Sequence, residues 1–331
     1  MNILTDSDKA TAVGVVVIGR NEGDRLRRCL ASLATQARHI VYVDSASSDD
    51  SVKLARSMGV EVVSLDMALP FTAARARNAG YASMRALYPH TEYVQFVDGD
   101  CEVAAGWLAS ASSFLALHRD VAVVCGRRRE RYPDLSIYNA LCDSEWDTPV
   151  GETKACGGDA LMRVTAFAAS RGFRSELIAG EEPELCVRLR TAGWKIWRLP
   201  QEMTLHDAAM TRFGQWWQRS RRSGYAFAEG ARLHGAAPER HWVRESRRSL
   251  LWGAGIPLLS LSLIAWLGAW GIALLLLYPA QVMRLALRGT QRERWPHALF
   301  LVLGKFPEAL GHLNFIYDRL AGKSARLIEY K

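Results

Sequence analysis

Several absences narrow the chemistry of this chain before any motif is considered. It has no GxGxxG fingerprint and no GxxxxGK[ST] loop, so neither a dinucleotide fold nor a P-loop is available to hold phosphates. Its six cysteines (Cys29, Cys101, Cys125, Cys142, Cys156 and Cys186) form no CxxC pair and no zinc-type spacing, which fits reduced, mostly buried thiols. No zinc-finger or RNA-binding signature is visible, so nucleic acid is not an expected partner. The opening MNILTDSDKATA has neither a basic n-region nor an apolar core, so it is not read as a signal peptide. The last absence is of charge: from Ser249 to Met283 no residue carries any.

That uncharged run is long enough to cross a bilayer, or to enter and return as a hairpin broken near Pro257 or at Leu267-Gly268. Arg247 and Arg248 precede it, and Arg284 and Arg288 follow. Basic residues at both ends favour a hairpin with both ends on the cytoplasmic side. The formal net charge of +8 is concentrated in the second half, in stretches such as RSRRSG from Arg219 and RESRRS from Arg244. Such asymmetry calls for an anionic partner, and the adjacent apolar run makes an acidic membrane surface the expected one. Trp216, Trp217, Arg219, Arg221 and Arg222 form an aromatic and cationic cluster suited to that interface. Beyond the run, ALFLVLGKFPEALGHLNFIYDRL is interrupted by Lys305, Pro307 and Glu308 and reads as interfacial or packed against the hairpin.

At 331 residues the chain can hold a large α/β domain and an appendage. VGVVVIG reads as a buried strand, RNEGDRLRRCLASLATQ as a helix with Leu26, Leu30 and Leu33 on one face, and HIVYVD as a second strand. VKLARSMG, VEVVSL, RARNAGYASMRAL, YVQFVD and AGWLASASSFLALH continue the alternation, the pattern of a parallel sheet covered by helices. The expected organisation is an α/β domain over residues 1–210, regular over about 1–125 and less regular over about 126–210. A basic amphipathic linker follows over 211–248, then a membrane hairpin and interfacial helices over 249–331.

Ligands of such sheets bind at the carboxyl ends of the strands. Asn21 and Glu22 follow the first strand, Asp44 to Asp49 the second, and Asp98 with Asp100 the fourth. In VDGD, two carboxylates separated by one residue suit a hard divalent cation such as Mg²⁺ or Mn²⁺, though Asp-Gly also simply opens turns. A cation would let an acidic loop hold a diphosphate, and Gly99 would let that diphosphate approach closely. Glu181-Glu182-Pro183-Glu184 opens a helix, where acidic residues also serve as partners of the helix dipole.

With these residues in place the chain resembles the inverting family-2 glycosyltransferases of GT-A fold. The likeness covers about the first 210 residues and rests on an ordered set of motifs. VVVIGRNEGDRLRRCLASL is similar to the opening strand and helix, VDSASSDDS to the nucleotide loop, and RARNAG to the Arg-Asn-x-Gly helix start. VDGD resembles the Asp-x-Asp motif, and AGEEPELCVRLRTAGWKI the segment that carries the base. The resemblance implies a nucleotide-diphosphate sugar donor, UDP-linked, and a lipid-linked or saccharide acceptor in cell-surface polysaccharide or glycolipid synthesis. It makes residues 1–210 the catalytic domain, with a nucleotide-binding half over about 1–125 and an acceptor half over about 126–210; the polar opening and the basic flanks of the apolar run place that domain on the cytoplasmic side of the inner (cytoplasmic) membrane.

By the same resemblance Asp44 holds the base, while Asn21, Glu22 and Arg77 line the nucleotide pocket. Asp98 faces ribose and metal, Asp100 ligates the metal, and His206 in TLHD adds a further metal or diphosphate ligand. Glu182 aligns with the catalytic aspartate, and Glu181 is the other possible base. The chain departs from the family pattern at Asp44-Ser45 and at Glu181-Glu182. It also lacks the Gln-x-x-Arg-Trp motif of processive synthases, which implies one transfer per encounter. The rival expectations are a GT-A-like nucleotidyltransferase and a non-enzymatic basic membrane scaffold.

Overall fold

The computed structural model describes residues 12–289 and 294–323, together with residue 328. They form two compact units, one ending at Leu177 and resuming over Glu181–Ala209, the other comprising Ile178–Gly180 and the chain from Met210 onward.

The first unit alternates β1 (Val13–Gly19), α1 (Asp24–Ala34), β2 (His39–Asp44), α2 (Ser51–Ser57), β3 (Glu61–Ser64), α3 (Ala73–Leu87) and β4 (Tyr93–Asp98). It continues with β5 (Cys101–Val103), α4 (Trp107–Leu117), β6 (Val121–Glu130), α5 (Ile137–Trp146), β7 (Gly151–Glu152), β8 (Ala160–Arg163), α6 (Val164–Ala169), α7 (Glu181–Thr191) and β9 (Lys195–His206). The nine strands belong to one sheet of order β3-β2-β1-β4-β8-β6-β9-β5, with β7 on β9. The β-branched run Val15–Ile18 is buried, as a parallel strand covered on both faces requires. On α1, Leu26, Cys29, Leu30 and Leu33 are buried at helical spacing. The Thr72 hydroxyl caps α3 by accepting from the Arg75 N–H at 3.1 Å.

The expected parallel sheet holds for β3, β2, β1 and β4. Beyond them it is mixed, because β8 lies antiparallel between β4 and β6. Its buried Ala160, Leu161 and Met162 complete the core that Phe96, Phe167 and Phe173 share in edge-on and tilted contacts.

The second unit is helical. It contains α8 (Phe213–His234), α9 (Val243–Leu250), a wide turn of helix over Leu251–Gly255, α10 (Ile256–Leu267), a 3₁₀ stretch over Gly268–Leu276, α11 (Leu277–Arg288), α12 (Arg294–Leu303) and α13 (Lys305–Leu320). Helices α8 and α13 meet backbone to backbone. A Cβ added at Gly224 would lie 1.9 Å from the Glu308 carbonyl oxygen, and one at Gly311 1.9 Å from that of Arg221. Trp216 packs edge-on against Phe300 at 4.9 Å and is buried. This corrects the expectation that it faces a bilayer surface: its indole is taken up by the helical core.

The uncharged run lies between Val243 and Arg288, a helical stretch long and apolar enough to cross a membrane and mostly exposed. It is not straight. In one helix Ser260 and Gly271 would be about 16 Å apart and Trp252 and Tyr278 about 39 Å. Yet Ser260 Oγ donates to the Gly271 carbonyl at 2.9 Å, and the Tyr278 hydroxyl to that of Trp252 at 2.5 Å. The reversal falls at Gly268, whose φ of 60° glycine adopts without steric cost. Two antiparallel arms result, with Trp266 (89% exposed) and Trp270 (82%) at the tip.

Candidate functional site

Strand register builds the site. Ile18 is paired with Asp98 and Gly19 with Asp44, so the carboxylates ending β2 and β4 flank the end of β1. Asp44 turns into its own loop, accepting from the Tyr42 hydroxyl at 3.1 Å and the Ser47 N–H at 3.0 Å. Burial first, and the Asp44 charge second, push the Tyr42 phenol up. Asn21, at φ 56°, ties the first two loops together: its Oδ1 accepts from the Ser48 N–H at 2.7 Å, and its N–H donates to Ser47 Oγ at 2.9 Å. Glu22 pairs with Arg25 at 2.8 Å. A Cβ at Gly99 would meet the Ile18 carbonyl at 3.1 Å and Glu22 Cγ at 3.2 Å, so this glycine makes room for Glu22 beside the two aspartates.

Asp98 is the centre of an ionic chain. Its Oδ1 accepts from Arg77 at 2.7 Å and its Oδ2 lies 3.5 Å from Arg128. Arg77 also donates to Glu181 at 2.5 Å, and Arg128 lies 3.2 Å from Asp159. Asp159 in turn accepts from the Asp98 N–H at 3.0 Å and the Thr204 hydroxyl at 2.9 Å. Burial works against the Asp98 charge, but Arg77 and Arg128 hold its carboxyl below the usual aspartate range. Burial likewise opposes the charges of Arg77 and Arg128, and the surrounding carboxylates, Asp98 and Asp159 among them, raise both guanidinium pKa values nonetheless.

Asp100 points elsewhere. Its Oδ2 lies 3.4 Å from His206 Nε2, while His206 Nδ1 is 3.2 Å from Glu130. The pairings Cys101 with His206 and Glu130 with His206 place the imidazole between β5 and β6. Trp146 sits edge-on to that ring at 4.7 Å and carries the Arg128 guanidinium over its own face at 4.8 Å. Asp100, Cys101 and His206 offer one ligand atom each within 4.8 Å of one another. A carboxylate and an imidazole oriented by a second carboxylate suit Mn²⁺ or Mg²⁺, so this donor set fits the implied cation. The Cys101 thiol, pushed up by burial, is a poor ligand beside them.

The two consecutive glutamates of α7 diverge, as neighbours about 100° apart on a helix must. Glu181 reaches Arg77. Glu182 is buried, and its Oε1 accepts from the Cys156 N–H at 2.6 Å and from the thiols of Cys156 and Cys186 at 2.9 and 3.0 Å. Burial pushes the Cys156 thiol well up and that of Cys186 to about 11. Among the described residues no cation pairs with Glu182.

The structure thus brings Arg77, Asp98 and Glu181 into one network and Asp100 with His206 into another, and gives Glu182 its own pocket. Sequence reasoning missed Arg128, Glu130, Trp146, Cys156 and Asp159. Arg128 and Glu130 carry a faint signal, being two apart on one strand and hence on one face.

Comparison with known proteins bears on the domain and its fold. Residues 14–171 match the model for glycosyl transferase family 2. Over 212 residues, 59% of this chain, the sequence is 28% identical to pre-mycofactocin glycosyltransferases of Mycobacterium tuberculosis. The matched region is 42% of their length, so the chain spans less than half of these curated relatives. Among solved structures it is similar to a mannosyltransferase of Pyrobaculum calidifontis in complex with GDP-Man and Mn²⁺, with TM-score 0.62 and 20% identity over 91% of this chain and 87% of that one. It also resembles glucosyl-3-phosphoglycerate synthase of Mycobacterium tuberculosis bound to Mn²⁺, UDP-glucose and phosphoglyceric acid, with TM-score 0.50 and 16% identity over 70% of this chain and 84% of that one. At such identities the likeness concerns the fold.

The fold is that of the GT-A class. Within that fold, the match to glycosyl transferase family 2 takes in residues 14–171, just under half of the chain.

Proposed function

We propose that the protein is a metal-dependent, inverting, non-processive glycosyltransferase. It moves a sugar from a nucleotide-diphosphate donor, UDP-linked, to a lipid-linked or saccharide acceptor of cell-surface polysaccharide or glycolipid. The observation that carries the reading is Arg77, which bridges Asp98 of the nucleotide-side strand and Glu181 of the helix that bears the proposed base. One guanidinium thereby sets the distance between donor and base.

In this reading Asp44 recognises the nucleobase, Asn21 and Glu22 shape the nucleotide pocket, and Asp98 with Arg77 holds the ribose side. Asp100 and His206 hold Mn²⁺ or Mg²⁺, which, when bound, stabilises charge on the departing diphosphate. A sugar hydroxyl needs a base as it attacks the anomeric carbon. Glu182 takes that role, because Glu181 is neutralised by Arg77 whereas Glu182 faces only weak thiol donors and one N–H. The exposed apolar arms attach the enzyme to the inner membrane, with the catalytic unit on the cytoplasmic side.

A panel of nucleotide sugars with Mn²⁺ or Mg²⁺ tests this. Asp100→Ala should lose metal-dependent nucleotide binding, and Glu182→Gln should keep binding but lose transfer, with the product anomer inverted in the wild type. Wild-type transfer by Asp100→Ala would overturn the metal assignment, and by Glu182→Gln the base assignment.

A further inference from the structure

The hairpin carries a cluster of arginines to which the proposed site assigns no role. Arg244 and Arg248 lie one turn apart on α9, and Arg284 and Arg288 one turn apart on α11. Because the arms are antiparallel, the two pairs fall at the same end, where with Trp252 and Lys305 they line a cavity of about 460 Å³. Arg244 and Arg248 also line a neighbouring cavity of about 290 Å³ that Arg240 and Arg247 share. Lys305 is bonded to Glu308 at 2.6 Å. The four arginines have no carboxylate partner among the described residues, and Glu245 is the one acidic side chain on the cavity wall.

Like charges this close repel one another unless an anion sits between them. Guanidinium forks match phosphate oxygens in particular. Apart from the uncharged Gln281, the rest of the wall, Leu285, Leu301 and Val302, is apolar and adjoins arms whose leucines are largely exposed. The ligand chemistry is therefore that of a phosphate joined to an apolar tail. We propose that this cavity binds the phosphate headgroup of an anionic lipid, with its chains laid along the hairpin arms. The proposal rests on the reading of Ser249–Met283 as membrane-inserted, and it adds a specific headgroup site at the base of the insertion.

Flotation of the full chain on vesicles tests it, comparing phosphatidylcholine alone with phosphatidylcholine containing phosphatidylglycerol. Arg244→Gln/Arg248→Gln and Arg284→Gln/Arg288→Gln should each lose partition onto the anionic vesicles by roughly thirtyfold. On neutral vesicles both should behave as wild type, because the apolar arms are intact. Arg232→Gln/Arg319→Gln, a pair of exposed arginines outside the cavity, should lose far less on anionic vesicles. Equal losses in all three variants would reduce the effect to diffuse charge and overturn the site. So would unchanged partition of both cavity variants. Displacement of the wild type from anionic vesicles by millimolar inorganic phosphate would assign the cavity to a soluble anion instead. If the wild type fails to partition onto either vesicle, the membrane reading falls and the site with it. Normal partition without a variant effect removes the site alone.

Discussion

Replacing Arg77 by methionine keeps much of the side-chain volume and removes the charge that Asp98 and Glu181 share. Arg77 is 3% exposed, and its contacts to the two carboxylates are 2.7 and 2.5 Å long. Without it Asp98 keeps only Arg128, at 3.5 Å, and Glu181 loses its cation. Removing one partner of a buried ion pair costs about 3–5 kcal/mol, most of it for the charge left behind. In a unit of this size that lowers the melting temperature by about 10 °C. The loss should depend on pH with a definite sign. The folded-state pKa of Asp98 is depressed, so its contribution is full above the ordinary aspartate range, about 4, and fades as pH falls through the depressed value. Urea unfolding of wild type and variant from pH 7 down to pH 3 should show a difference in stability that shrinks on the acid side. In an Asp98→Asn/Glu181→Gln background the same substitution should cost much less. A difference that stays constant across pH, or an Arg77→Met variant as stable as wild type at pH 7, would refute the reasoning.

Other expectations follow from individual contacts. Glu130→Gln removes the charge that orients His206, and Mn²⁺ affinity measured by calorimetry should fall by about 10- to 100-fold. Gly224→Leu has no room against the Glu308 backbone and should destabilise the helical unit by about 1–3 kcal/mol or more, seen as earlier loss of helical circular dichroism. All six cysteines are free and buried, and burial pushes the Cys156 thiol well up. Thiol reagents at pH 8 should therefore label none of them in the native protein and all of them in denaturant.

The parallel part of the sheet, β1 to β4, was legible because its signals are local. A run such as VGVVVIG is apolar on both faces, and a central parallel strand needs that property; VDGD marks its own strand end. What could not be read depends on contacts across long stretches of chain. Asp159 reaches the Asp98 N–H from 61 residues away and Glu130 meets His206 across 76, so the sequence near each gives no hint of the partner. The place of β8 between β4 and β6 is set in the same way, by packing in the assembled sheet. The divergence of Glu181 and Glu182 follows from helix geometry, but which of them meets Arg77 depends on how α7 is docked. Trp216 shows composition misleading: beside arginines its indole suggests an interface, yet Phe300 buries it.

The hydrogen bond from Ser260 to Gly271 takes on a further meaning once the arms are inserted as proposed. At depth in hydrocarbon there is no water to satisfy a carbonyl released where a helix ends, and each one left bare costs several kcal/mol. The hydroxyl of Ser260 donates to a carbonyl of the 3₁₀ stretch just past the reversal, from within the preceding arm. A serine in an otherwise apolar stretch then acts as solvent for the bend, and Ser260→Ala should weaken vesicle partition although it makes the sequence more apolar.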